Sequence, residues 1–248
     1  HVSTKASKVR RGSILTSDGV TLAESVLQDN GTYVRTYPQG TLASHTVGYA
    51  SAVYGSTGIE SVYDDVLAGS QSYTTWQDLF DSFLGVTKAG GDVVLTINSG
   101  LQKVAQDALQ KALQDYSGKK GNVVPDAGAV VVLSCKDSSI LASATYPTYD
   151  ISTYADNAEA LNKASGAPLW NRALLSTYAT GSTMKPSVAV AALEEGIIDE
   201  TTTVYCSGSY EYLGQHFKCE QHHITRFVNV VNAINESCNT FFYEVGRM

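Results

Sequence analysis

Glycine spacing governs what the first third of this 248-residue chain can become. Gly19, Gly31, Gly40, Gly48, Gly55 and Gly58 punctuate it, and the stretches between them are rich in Tyr, Ser and Thr with short apolar alternations. That pattern predicts small β elements joined by turns over residues 1–90, and no long helix. A Gly-rich stretch at 85–91, around Lys88, predicts a hinge.

From Asp92 the texture changes. Val93-Val94-Leu95-Thr96-Ile97 predicts a strand, with Asn98 or Ser99 capping a helix whose inner face is Leu101, Val104, Ala105, Ala108, Leu109, Ala112 and Leu113. Residues 117–125 break that helix. The apolar run 127–133, the polar turn Lys136-Asp137-Ser138 and the run 140–144 predict a hairpin inside a covered sheet. Residues 147–178 read as irregular. Residues 182–195 read as a helix with Val188, Ala191 and Ala192 inward and Gly196 as its stop. Residues 201–225 read as a polar, Tyr-rich loop, and Phe227, Val230, Val231 and Ile234 as a short amphipathic helix ending before Ser237. The fold class is α/β (α+β), with a small β-rich domain over 1–90 and a mixed domain over 91–248.

With 43% hydrophobic and 17% charged residues the chain can bury a core. Its formal net charge of -7 excludes nucleic acid as a partner, because phosphate binding needs clustered Lys and Arg. The one basic cluster, Lys5, Lys8, Arg10 and Arg11, reads as a solvated terminus. No run of 18 apolar residues is present, so a membrane anchor is expected only ahead of residue 1.

The chemistry centres on Ser182-Thr183-Met184-Lys185, an S-x-x-K tetrad. Three residues along a helix return to one face, so hydroxyl and amine come within reach of each other. The tetrad alone is weak, since roughly one is expected by chance in a chain of this composition. Ser117-Gly118-Lys119-Lys120 has the same form in a Gly-broken loop. Gly181 before Ser182 and Pro186 after Lys185 separate the two, although a serine at a helix start is ordinarily a cap. Ser237-Cys238-Asn239, the one S-x-N, follows about fifty residues on.

Tetrad and S-x-N in that order resemble the penicillin-recognising serine transferases. Arg11-Gly12-Ser13-Ile14 with Leu22-Ala23, Arg35-Thr36-Tyr37-Pro38 with Gly40, His45 and Gly48, and Gly55, Gly58-Ile59-Glu60, Tyr63, Leu67 and Gly69 are similar to the three pedestal motifs of class B penicillin-binding proteins. Asp92 to Thr96 with Leu101-Gln102, the hairpin at 128–144, Tyr146-Pro147-Thr148-Tyr149-Asp150 and Asn171-Arg172-Ala173 resemble the approach to the nucleophile. Two departures stand out: Ser17-Asp18-Gly19 replaces the usual acidic-basic pair, and no K-[ST]-G triplet follows Ser237. The second implies a piece of a longer chain, with an incomplete site that can be inert by itself.

The resemblance implies a peptidoglycan D,D-transpeptidase with Ser182 as nucleophile, Lys185 as its base, Ser237 as proton relay and Asn239 as substrate holder. It implies stem peptides as substrates, β-lactams as inhibitors, membrane proteins of division or elongation as partners, and an extracytoplasmic catalytic domain on a membrane anchor. Arg11 and Glu60 are expected to pair structurally within the pedestal. No cofactor is expected. Outside the cytoplasm, Cys206 and Cys219 read first as a disulfide; zinc held by Cys206, Cys219 and His223, with His222 or His216, is the alternative. Cys135 and Cys238 are expected to be free. A serine β-lactamase and a non-catalytic β-lactam sensor or scaffold are the rival functions.

Overall fold

The computed structural model describes residues 8–69, 89–117, 126–219 and 226–248. By compactness the chain divides into His1–Ser176 and Thr177–Met248. The first unit is larger than the expected domain of residues 1–90 because Tyr149, Ile151, Tyr154 and Ala158 bury into one core with Ile14, Leu22, Tyr37 and Leu67.

That core sits under a four-stranded sheet in the order β3-β2-β1-β4, with β1 at Ile14–Leu15, β2 at Thr21–Leu27, β3 at Tyr33–Thr36 and β4 at Val93–Val94. β1 runs antiparallel to β2 and parallel to β4, pairing Ile14 with Ala23 and Val93. The expected strand 93–97 keeps regular pairing for two residues only, yet Leu95 and Ile97 are buried and their backbones still bond to Leu15 and Ser17. Of the expected hinge, 85–88 lies outside the described residues. Gly90 and Gly91 do not behave as one: they bond to Arg10 and Val66, and a Cβ on Gly90 would lie 1.7 Å from the Leu67 carbonyl oxygen. They are a glycine seam where backbones meet directly.

The expected Arg11–Glu60 pair is present, as part of a larger network. Glu60, fully buried, accepts from Arg11 Nε at 2.7 Å, Arg35 Nε at 2.6 Å and Tyr37 Oη at 3.2 Å. Arg35 Nη1 also donates to the Gly12 carbonyl at 2.6 Å, so the two segments that converge on this carboxylate, at Arg11 and at Arg35 to Tyr37, are tied to each other as well.

Helix α1 (Ser99–Ser117) starts where Asn98 Oδ1 accepts from the Leu101 amide. It packs on the hairpin of β5 (Gly128–Leu133) and β6 (Ile140–Tyr146). The inner face differs from expectation: Ala105 and Leu109 are buried, but Val104, Ala108 and Ala112 are exposed and Gln102 lies inside. Gln102 bonds both the amide and the carbonyl of Ser143, matching a polar side chain to the strand backbone. The stretch read as irregular contains α2 (Tyr154–Lys163), whose apolar face is reduced to residues such as Ala158 and Leu161 and so gives little periodic signal.

His45, part of the same unit, donates from Nε2 to the Pro168 carbonyl at 2.7 Å and meets Tyr149 edge-on. Burial holds its pKa below the ordinary imidazole value. The native state therefore resists protonation that the unfolded chain accepts near pH 6.5, so His45 contributes full stability above that pH and loses it as pH falls through the lower folded value. Melting temperature should drop as pH falls below about 6.5, and His45→Gln should flatten that dependence in a scan from pH 8 to 5.

The second unit holds α3 (Lys185–Glu194), β7 (Thr203–Cys206), β8 (Ser209–Tyr212), β9 (Gln215–Lys218), β10 (Arg226–Asn229), α4 (Val230–Asn235) and α5 (Asn239–Arg247). The expected loop at 201–225 is thus three strands over 203–218. β8 and β9 form a hairpin through Leu213-Gly214, both at positive φ, and β7 pairs with β10. The strands are short and bury little, which hid this pattern, although Tyr210 and Phe217 pack on Tyr243. Phe227 lies on β10, not on the following helix, and is exposed; Val230 and Ala233 are the buried positions of α4. In α3 the buried residues are Ala189 and Ala192, with Val188 partly buried and Ala191 exposed. Gly196 closes α3 at φ +66, as expected.

Candidate active site

The local chain path brings the two motifs together within the second unit. Gly181 adopts φ +54, with open space where a Cβ would stand, so its glycine serves the left-handed backbone and not a close approach. A single 3-10 turn, Gly181–Met184, then delivers Ser182 and leads into α3 at Lys185, with Pro186 in its first turn. Neither helical start has a side-chain cap, so Ser182 is not acting as one. Ser182 is exposed, and its Oγ lies 3.0 Å from Ser237 Oγ.

Ser237 arrives from the other side, between α4 and α5. It occupies φ +54, a conformation few non-glycine residues take, while its amide and that of Cys238 bond back to Ile234 and Ala233. Lys185 Nζ donates to Ser237 Oγ at 2.9 Å, Ser237 O at 2.6 Å and Asn239 Oδ1 at 2.6 Å, and lies 5.7 Å from the Phe242 ring centroid. Asn239 Nδ2 donates to the Lys218 carbonyl at 3.1 Å, which ties the site to the end of β9. Ser182, Lys185, Ser237 and Asn239 are therefore gathered in one place, with Ser237 between the nucleophile candidate and the lysine.

The cysteines gather more closely than their spacing indicates. Cys206, Cys219 and Cys238 are buried free thiols whose sulfurs all lie within 4.8 Å of one another. Cys238, expected to stand alone, is 3.8 Å from Cys219, whose Sγ also accepts from the Asn239 amide at 3.2 Å. Burial alone would raise the Cys219 thiol, but the Thr240 and Asn239 amides at the start of α5 outweigh it and hold its pKa below the ordinary thiol value. Burial pushes Cys238 up to about 12. Cys206 Sγ contacts Thr240 Oγ1 at 3.5 Å. Cys135 is an exposed thiol in the hairpin turn. Of the expected zinc ligands, His222 and His223 lie outside the described residues, as do Gly118, Lys119 and Lys120 of the second S-x-x-K; His216 is exposed on β9. The signal sequence reading missed was that α5 begins inside the S-x-N, which turns Cys238 back toward the strands.

Comparison with known proteins agrees with this arrangement. Residues 11–93 match the Penicillin binding protein A dimerisation domain and residues 128–248 the Penicillin binding protein transpeptidase domain. The chain is 34% identical to the peptidoglycan D,D-transpeptidase PbpA of Mycolicibacterium smegmatis, over 96% of this chain and 49% of that protein. It is 28% identical to the peptidoglycan D,D-transpeptidase MrdA of Escherichia coli K12, over 85% of this chain and 37% of that one. Among solved structures it resembles the imipenem acyl-enzyme complex of penicillin-binding protein A from M. tuberculosis, with TM-score 0.82 and 30% identity over 96% of this chain and 56% of that one. The D,D-transpeptidase domain of a peptidoglycan glycosyltransferase from Eggerthella lenta gives TM-score 0.78 and 35% identity over 97% and 50%. The chain spans about half the length of the curated PbpA relatives it matches. A pedestal built on the Arg–Glu network, followed by S-x-x-K and S-x-N brought onto one hydrogen-bonded chain, places this protein in the PbpA-like class B penicillin-binding proteins.

Proposed function

We propose that the protein is a penicillin-sensitive D,D-transpeptidase that cross-links peptidoglycan stem peptides in the cell envelope. The observation that carries this reading is the continuous chain Ser182 Oγ, Ser237 Oγ, Lys185 Nζ, with steps of 3.0 and 2.9 Å. In this reading Lys185 first gives up a proton, leaving two N–H donors for Ser237 O and Asn239 Oδ1 and a lone pair facing Ser237 Oγ; the Ser182 oxygen then attacks the penultimate D-Ala carbonyl while its proton passes to Ser237 and the Ser237 proton passes to that lone pair. The amide of Ser182 is one donor to the oxyanion. D-Ala leaves with a proton returned along the same path, and an amine of a second stem peptide takes the acyl group from Ser182. A β-lactam opens by the same first step, and its acyl group stays on the serine. Both protons pass through Ser237, so its backbone strain is consistent with a position fixed by the chemistry.

The partners in this reading are stem peptides, β-lactams and the membrane proteins of division or elongation. No helix among the described residues is long and apolar enough to cross a membrane.

Ser237→Ala should slow acylation by a β-lactam about 100-fold, the low end for a positioned proton-transfer group. Stopped-flow acylation of the whole native polypeptide would measure it. A rate within twofold of the parent would remove Ser237 from the proton path. The lifetime of the adduct separates this reading from a β-lactamase: the adduct should persist for hours, whereas a hydrolase would release it within minutes.

A further inference from the structure

The buried Arg–Glu network of the first unit leaves one donor over. All three nitrogens of the Arg11 guanidinium are used, two on Glu60 and one on Asp64. Arg35 donates from Nε to Glu60 and from Nη1 to Gly12, but its Nη2 is buried with no hydrogen-bond partner among the described residues, on a side chain only 5% exposed. An N–H held out of water without an acceptor is costly, and folded chains rarely keep one. Arg35 lines a pocket of about 320 Å³ between β3, the outer strand of its sheet, and the short hairpin of Ala50–Ser51 with Gly55–Ser56. Arg11 and Asp64 share that wall, which puts the pocket at the guanidinium end of the network.

We propose that this pocket binds an N-acetylated amino sugar, whose acetamido carbonyl oxygen accepts from Arg35 Nη2. The choice of sugar rests on the function proposed above, because stem peptides are carried on glycan strands of such sugars. Charge argues against an anion: the two guanidinium groups are already matched by the carboxylates of Glu60 and Asp64, so no surplus positive charge is left for a phosphate or a free carboxylate. What Arg35 lacks is a neutral oxygen acceptor.

The rest of the wall suits a polyhydroxyl ligand. Ser25 stands directly across from Arg35 in the β2–β3 ladder, and Tyr33 lies two residues away on the same strand, so both present side chains to the face that Arg35 uses. Ser51 Oγ accepts from the Val53 and Tyr54 amides and keeps its proton to give. Hydroxyls on Ser25, Tyr33 and Ser51 both donate and accept, as sugar hydroxyls do. A peptide brings a carbonyl to Arg35 but few hydroxyls to match the others.

The test is calorimetric titration of the whole native polypeptide with the β-1,4 dimer of N-acetylglucosamine, beside cellobiose. Cellobiose has the same rings and linkage, with a hydroxyl whose oxygen ends two bonds short of the acetamido oxygen. One acetylated dimer per chain is expected, with cellobiose at least tenfold weaker, because a site built around a buried donor rejects a ligand that cannot reach it. Ser182→Ala should bind like the parent. Ser25→Phe, which places a ring beside Arg35, should bind at least tenfold more weakly. Crystals soaked with the dimer decide the matter independently of that variant's folding: the acetamido oxygen should lie on Arg35 Nη2. No binding, equal binding of the two sugars, loss of binding in Ser182→Ala, tighter binding of a sugar-free stem peptide, or a water alone on Nη2 would each overturn the proposal. A parent that binds the dimer but takes up no penicillin would overturn the proposed function and leave the sugar site standing. Penicillin uptake without sugar binding would do the reverse.

Discussion

Lys185→Ala is expected to lower β-lactam acylation by about 10³-fold or more, equivalent to roughly 4 kcal/mol of barrier at 1.36 kcal/mol per decade. The side chain occupies the end of the proton path that runs from Ser182 through Ser237, and its Nζ holds Ser237 Oγ, Ser237 O and Asn239 Oδ1 in one place. Loss of the amine therefore removes both the acceptor and the post that positions the relay. Lys185→Arg separates these two roles. A guanidinium supplies hydrogen-bond donors but does not deprotonate in proteins, so it can hold Ser237 and Asn239 without accepting a proton. If Lys185 accepts the proton, Arg should be nearly as slow as Ala. If it only anchors Ser237 and Asn239, Arg should recover a large part of the rate. Initial acylation rates at saturating penicillin, measured for all three side chains, distinguish the roles.

The second large effect is structural. Glu60→Ala should destabilise the first unit by about 3–5 kcal/mol, the range for removing one partner from a buried ion pair. Glu60 has no exposure and receives Arg35, Arg11 and Tyr37; without it the buried Arg35 guanidinium loses its carboxylate partner and keeps the Gly12 carbonyl. Asp64→Ala is the control, because Asp64 meets the same Arg11 from an exposed position and should cost less than about 1 kcal/mol. Since a domain is stable by only about 5–15 kcal/mol, Glu60→Ala should unfold at a markedly lower denaturant concentration while Asp64→Ala stays near the parent. Equal midpoints for the two variants would show that the network is not what holds this unit.

How much of this was legible beforehand depended on whether the physics was local. The S-x-x-K spacing puts serine and lysine on one face, but Gly181, Pro186 and the S-x-N downstream were needed to prefer Ser182 and Lys185 over the same form at residues 117–120. The Arg11–Glu60 pair was legible because its motifs resemble a known pedestal. Arg35 as second partner was not, since nothing in Arg35-Thr36-Tyr37-Pro38 says that its side chain crosses to the same carboxylate. The same limit hid Gln102 inside the apolar face of α1, where a partner 41 residues away satisfies it. Hairpin β8–β9 escaped because its strands are four residues each and bury little; the one aromatic face, Tyr210, Tyr212 and Phe217 against Tyr243, is too short to stand out from the Tyr-rich stretch around it. The thiol cluster escaped because Cys206 on β7, Cys219 just past β9 and Cys238 just ahead of α5 come from three separate stretches of chain and share no ligand spacing.

The central claim, that Ser182 is an acylated nucleophile, is tested most directly by intact mass of the whole native polypeptide before and after excess penicillin, beside Ser182→Ala. One stable adduct of the antibiotic's mass is expected on the parent and none on the variant. A parent that stays unmodified, or a variant that takes up the same adduct, would contradict it.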